Sequence, residues 1–223
     1  LLLAGALTAV AACGGAPGRP GASPARERAA APPVPAYEPG VIPDSFVVRL
    51  ATTKGDIDLM IRRHWAPLGA AQMFEAVSTG YYDGARFFRT IRGFVAQFGL
   101  AADPAVTAAW RGRRIADDPV TESNRRGTVV FASGGPGTRT TQLFLNLRDN
   151  ARLDALGFPP IGEVIAGHDA MDALYTGYGD GGTAPAQDRL TREGEAYLAA
   201  EFPLLDAIQQ ARVVAAWFAP AAP

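Results

Sequence analysis

Cysteine, histidine and lysine are almost missing from this chain, which has one cysteine, two histidines and a single lysine, Lys54, among 223 residues. So few thiol and imidazole ligands exclude a structural zinc site of the usual composition, and one cysteine closes no disulfide within the chain. An excess of charge of one sign is lacking too. The 21 basic and 22 acidic side chains leave a formal net charge of −1, so no global positive field gathers nucleic acid. The apolar stretch Leu1 to Ala12 carries no charge but is too short to span a bilayer as a helix.

That opening stretch fits the central part of a secretory signal, for which a basic region and an initiator methionine are expected upstream. The cysteine follows at once, in Val10-Ala11-Ala12-Cys13. Small residues ahead of a nucleophilic thiol resemble the bacterial lipobox, where a signal peptidase cuts before the cysteine and its sulfur carries a diacylglycerol. The alternative is an ordinary signal peptide with an incidental cysteine. On the lipobox reading, residues 1–12 are a signal remnant and Cys13 is lipidated. The protein is then anchored to the bacterial cell envelope, facing the periplasm or exterior. Residues 13–43, rich in Ala, Pro and Gly, bury too little apolar area to offset the entropy of ordering and are expected to form a flexible tether.

Residues 44–219 read as one domain. Ser45–Thr52 and Asp56–Ile61 form a hairpin turning at Lys54-Gly55. Ala66–Thr79 has helical spacing and stops at Gly80, and Asp103-Pro104 opens a short helix anchored by Trp110. Thr128–Ala132, Gln142–Leu147, Ile161–Ile165 and Arg212–Phe218 read as strands, and Asp169–Tyr175 and Leu190–Ala200 as helices. Many short strands with a few helices and no βαβ rhythm predict an antiparallel barrel with helices over its openings. Several polar features read as ordinary surface. His64 and His168 are expected to be solvated, as are the loop charges Asp117, Asp118 and Glu122. The stretch from Ser133 to Thr140 lacks the lysine and following helix of a phosphate loop and reads as a surface turn. Gly177 to Gly182 reads as a flexible connector.

The most informative residue is Arg89, in Phe87-Phe88-Arg89-Thr90-Ile91-Arg92-Gly93-Phe94-Val95-Ala96-Gln97-Phe98. The flanks are apolar enough to be buried strands with Arg92-Gly93 as the turn, so Arg89, Val95 and Gln97 can share one face beside Phe94. A guanidinium in such a setting serves either a structural ion pair or a site for a small apolar group on a polar backbone.

The motifs of this region, taken in order, resemble the cyclophilins, peptidyl-prolyl cis/trans isomerases. The resemblance is carried by Gly80-Tyr81-Tyr82-Asp83-Gly84, Phe88-Arg89, Gly93-Phe94 and Gln97. It continues through Gly127 to Ala132, Thr141-Gln142-Leu143-Phe144, Leu153-Asp154 and Ile161-Gly162-Glu163-Val164. It implies a mainly β fold, a closed eight-stranded antiparallel barrel capped by helices, here with an extra C-terminal helix. It implies no cofactor or metal, proline-containing polypeptides as partners, and a monomer. It places Arg89 as the catalytic arginine and Phe94, Val95, Phe144 and Leu153 around the proline ring. Gln97 and Gln142 then lie near the arginine, and Ala132 and Ser133 along the groove. Ser133 stands where most members have an asparagine, and Arg152 where many have a tryptophan linked to cyclosporin binding. The family's pocket histidine is replaced by Gly157-Phe158-Pro159-Pro160, so Phe158 is expected to close the pocket. The implied function is X–Pro bond rotation during folding of envelope or secreted proteins. The alternative is a proline-peptide binding or scaffold module with little turnover.

Overall fold

The computed structural model describes residues 41–179 and 184–218. The signal remnant, Cys13, all but the last residues of the tether, and part of the 177–182 connector therefore lie outside the described residues. Strand β1 (Ser45–Thr52) pairs antiparallel with β2 (Gly55–Arg62), from Ser45 opposite Arg62 to Thr52 opposite Gly55. Alternation sends Phe46, Val48 and Leu50 inward with Ile57, Leu59 and Ile61, all of them fully buried. Helix α1 (Pro67–Ser78) starts with proline in its first turn and lays Ala70, Met73, Phe74 and Val77 into the same core.

The remaining strands are β3 (Arg89–Thr90), β4 (Val95–Phe98), β5 (Thr128–Phe131), β6 (Leu143–Asn146), β7 (Pro160–Ala166) and β8 (Ile208–Trp217). With β1 and β2 they make one eight-stranded antiparallel sheet in the order β3-β4-β6-β5-β7-β2-β1-β8. The expected closed barrel is met as a curled sheet whose ladder does not close. Strand β3 contributes only two residues, and the seam to β8 is carried by Gly84 N to Ile208 O (2.8 Å), Phe87 N to Asp206 O (3.0 Å) and Ile208 N to Ala85 O (2.8 Å). Strand β8 begins before the expected Arg212, because Ile208 to Ala211 still pair with the end of β1.

Helix α2 (Pro104–Trp110) is capped by Asp103, whose carboxylate accepts from Ala105 N at 2.8 Å, and Trp110 is buried beside Tyr81. Helix α3 (His168–Asp172) is shorter than expected, although Leu174 beyond it stays buried. The single helix expected over Leu190–Ala200 is two, α4 (Gln187–Glu193) and α5 (Glu195–Glu201). They break at Gly194 (φ 61°, ψ −143°), where a Cβ would sit 2.4 Å from the Ala102 carbonyl oxygen, an approach only glycine allows. The next amide, Glu195 N, donates to that same oxygen at 2.9 Å. Leu190, Tyr197, Leu198 and Leu205 then bury against Phe88 and Leu100 as a second cluster.

Two polar features differ from their surface expectation. Asp118 and Arg139 are buried, with Arg139 Nη2 donating to Asp118 Oδ2 at 3.0 Å. Among the described residues no helix is long and apolar enough to cross a membrane.

Candidate active site

The site lies on the outer face of the sheet and follows from strand alternation. In β4, Ala96 and Phe98 point to the core while Val95 and Gln97 point away from it; in β6, Leu143 and Leu145 are core and Phe144 is not. The register then aligns four strands in one rung: Arg89 opposite Gln97, Gln97 opposite Phe144, and Phe144 opposite Val130. Gly93 makes the β3–β4 turn with φ 64°. Phe94 is held at that turn by its carbonyl, which accepts from Leu147 N at 2.9 Å and Asn150 Nδ2 at 3.0 Å.

Arg89, Phe94, Val95, Gln97, Ala132, Ser133, Phe144, Leu153 and Phe158 line one cavity of about 240 Å3. Its floor is apolar, from Val95, Phe144 and Leu153 packed on the buried Val130, with Phe94, Ala132 and Phe158 at the edge. Phe158 meets Phe144 edge-on with ring centroids 6.0 Å apart. One rim is polar. Arg89 Nη1 donates to Gln97 Oε1 at 3.1 Å, and Gln97 Nε2 donates to Gln142 Oε1 at 2.8 Å. Gln97 therefore turns its oxygen to the guanidinium and its NH2 to the next amide, which fixes the orientation of both. Gln142 lies outside this cavity and lines the neighbouring one. Arg152 places its guanidinium 4.8 Å from the Phe94 ring centroid, filling one face of that ring with a cation. A larger cavity of about 490 Å3 adjoins through Ser133 and Phe158, but Arg89 does not reach it.

Sequence reasoning missed the buried amides beneath the site. Asn146 Nδ2 donates to Asn124 Oδ1 (3.0 Å) and Thr128 Oγ1 (2.8 Å), and Asn150 Nδ2 donates to Asn146 Oδ1 (2.7 Å) as well as to Phe94. Asn124 Nδ2 in turn donates to the Phe158 carbonyl and to Asp154 Oδ1, both at 2.8 Å. This chain of bonds sets the loops that carry Phe94, Leu153 and Phe158. Burial pushes the Asp154 carboxyl up, but the Ser123 hydroxyl and the Asn124 donors together outweigh it and hold the group below its usual range. Asn146, polar in an otherwise apolar strand, was the one legible sign of the network.

A ring-sized apolar hollow with one forked cation at its edge accommodates a small cyclic side chain and presents a donor to the amide beside it. Comparison with known proteins agrees. The profile of the family "Cyclophilin type peptidyl-prolyl cis-trans isomerase/CLD" matches residues 47–193. Peptidyl-prolyl cis-trans isomerase CYP18-1 of Arabidopsis thaliana is 33% identical over 151 residues, covering 65% of this chain and 92% of that one. Peptidyl-prolyl cis-trans isomerase A of Dickeya dadantii is 31% identical over 140 residues, 57% of this chain and 70% of its own. A crystal structure of a Cryptosporidium parvum cyclophilin type peptidyl-prolyl cis-trans isomerase shares the fold. Its TM-score is 0.57 at 21% identity, and it covers 76% of this chain and 97% of that one. The chain belongs to the cyclophilin-type peptidyl-prolyl cis/trans isomerase family.

Proposed function

We propose that this chain accelerates rotation about X–Pro bonds in envelope or secreted proteins, as a monomer tethered to a membrane through a lipid on Cys13. The observation that carries the catalytic reading is a cavity lined at once by Arg89 and by Val95, Phe144, Leu153 and Phe158.

Rotation of a peptide bond faces a barrier of about 18–20 kcal/mol because the nitrogen lone pair is delocalised into the carbonyl. No bond is made or broken between protein and substrate. The apolar hollow holds the proline ring while the carbonyl side turns. As conjugation is lost the nitrogen becomes pyramidal and regains its lone pair. Arg89, oriented by Gln97, donates a hydrogen bond toward that nitrogen, an interaction available chiefly in the twisted state. A rate gain of about a hundred-thousandfold requires about 7 kcal/mol. One charge-assisted donor in a sheltered site, together with orientation of the ring, is of that size. Phe158 closes the hollow with a second aromatic edge where most family members are expected to have histidine, keeping the wall apolar.

The test is exchange NMR or a coupled assay on a short Ala-Pro peptide with wild type and Arg89→Ala. Wild type should turn over well above background and the variant should fall toward it. Equal near-background rates would sink the enzyme reading, and peptide binding retained in that case would favour a scaffold. For the anchor, Cys13→Ser should move the protein from the membrane to the soluble fraction, and unchanged partitioning rejects lipidation.

A further inference from the structure

Beyond the proline-sized cavity the groove continues through two more hollows. The first, about 370 Å3, shares Gln97, Ala132 and Ser133 with that cavity and is otherwise lined by neutral polar groups, including Gln142 and Gln187. It shares Thr138, Thr140 and Gln142 with the second, about 200 Å3, whose wall includes Arg111, Arg114 and Thr191. Among the described residues, no aspartate or glutamate lines either hollow.

The state of those two arginines is unlike that of their neighbour. Arg113 is engaged on both sides, pairing with Glu75 at 2.6 Å and stacking 4.1 Å from the Trp110 ring centroid. The Arg111 and Arg114 side chains make no hydrogen bond, ion pair or ring contact among the described residues. They sit at and just beyond the end of α2, facing threonines 107, 138, 140, 141 and 191. Two guanidinium groups with no carboxylate partner among the described residues, on a wall otherwise neutral, present a local positive potential that a carboxylate matches in charge and geometry.

We infer that this far hollow is an anion subsite of the peptide groove, and that the preferred substrate carries an acidic side chain close in sequence to its proline. The inference rests on the isomerase reading: one extended peptide fills the apolar cavity with its proline and lays a carboxylate against Arg111 and Arg114. The intervening neutral hollow spaces the two by about two to four residues of extended chain.

The experiment compares peptides with Glu, Ala or Lys placed about two to four residues to either side of Ala-Pro. It reads the ratio of kcat/KM values with the full chain, the double variant Arg111→Ala/Arg114→Ala, and the charge-reversed pair Arg111→Glu/Arg114→Glu. At low ionic strength wild type should prefer the best Glu peptide to its Ala counterpart by about fivefold, the size expected of two partly exposed charge contacts, and added salt should erode the preference. The ratio should fall to about one in the alanine pair and turn to favour Lys in the glutamate pair, a reversal that structural damage does not produce. A wild type indifferent to charge, or a preference that survives in the alanine pair, overturns the subsite and leaves the isomerase reading standing. If no peptide is turned over, the isomerase reading fails instead. The same ratios read as peptide affinities by fluorescence anisotropy then decide the subsite.

Discussion

Arg89 and Arg139 each stand among buried residues, yet one opens onto a cavity and the other is enclosed. Arg139 is 1% exposed and closed in by carboxylates, with Asp118 at 3.0 Å and Asp117 at 3.3 Å. Asp118 also accepts from Leu68 N (3.0 Å) and Gly69 N (2.9 Å) at the start of α1, so this arginine ties a loop to a helix and to the body of the fold. Arg89 is only half-buried, lines a cavity, and donates to the neutral amide of Gln97 at 3.1 Å. The carboxylates hold Arg139 inside the fold, and the Gln97 amide helps aim Arg89 at the cavity rim. The role of a sheltered arginine is read from whether its fork opens onto a cavity, as that of Arg89 does, or is enclosed against a buried carboxylate, as that of Arg139 is.

Breaking each arginine should give opposite profiles. Arg139→Met strands Asp118 in the interior, and loss of one member of a buried pair costs about 3–5 kcal/mol. Urea unfolding should show that loss while kcat/KM per folded molecule stays near wild type. Arg89→Ala should do the reverse, lowering kcat/KM about 10²- to 10³-fold, as for removal of one transition-state donor, with little change in the unfolding midpoint. Similar profiles for the two variants would falsify the division of labour.

Gln97→Leu sharpens the contrast. It removes an acceptor that helps orient Arg89 and should lower kcat/KM by about tenfold, the scale of one hydrogen bond to a charged group. If the variant behaves as wild type, the arginine is oriented by something else. The smallest effect concerns acid. Asp154 titrates below its unfolded value, so its contribution is present above about pH 4 and is lost as pH falls through its folded value. Asp154→Asn should flatten that part of the stability–pH curve, and an unchanged acid limb removes Asp154 from the account.

Much of this was legible in the sequence because it obeys local periodicity. The alternation in Val95-Ala96-Gln97-Phe98 separates site from core residue by residue, and the glycine at 93 marks the turn that brings Arg89 opposite Gln97. The buried role of Asp118 was not legible. Its partners are the amides of residues 68 and 69 and the guanidinium of 139, and none is near it in the chain. The break at Gly194 was hidden for a similar reason. A glycine inside a helical pattern is often tolerated, and here the decisive fact is its approach to the distant Ala102 carbonyl. The Asn124–Asn146–Asn150 relay likewise depends on which loops meet in space.

The pair α4 and α5 also has a consequence for anyone shortening this protein. Glu195 of α5 grips Arg86, Arg86 Nη1 donates to the Leu205 carbonyl, and Phe88 is sunk among Leu190, Tyr197 and Leu198. Alternate residues leading into β3 are thus bolted to these two helices and the turn after them, and Arg89 is the next residue along. A trimmed version that deletes residues 184–207 would keep every side chain of the cavity yet lose the bracket that holds Arg89 at its rim.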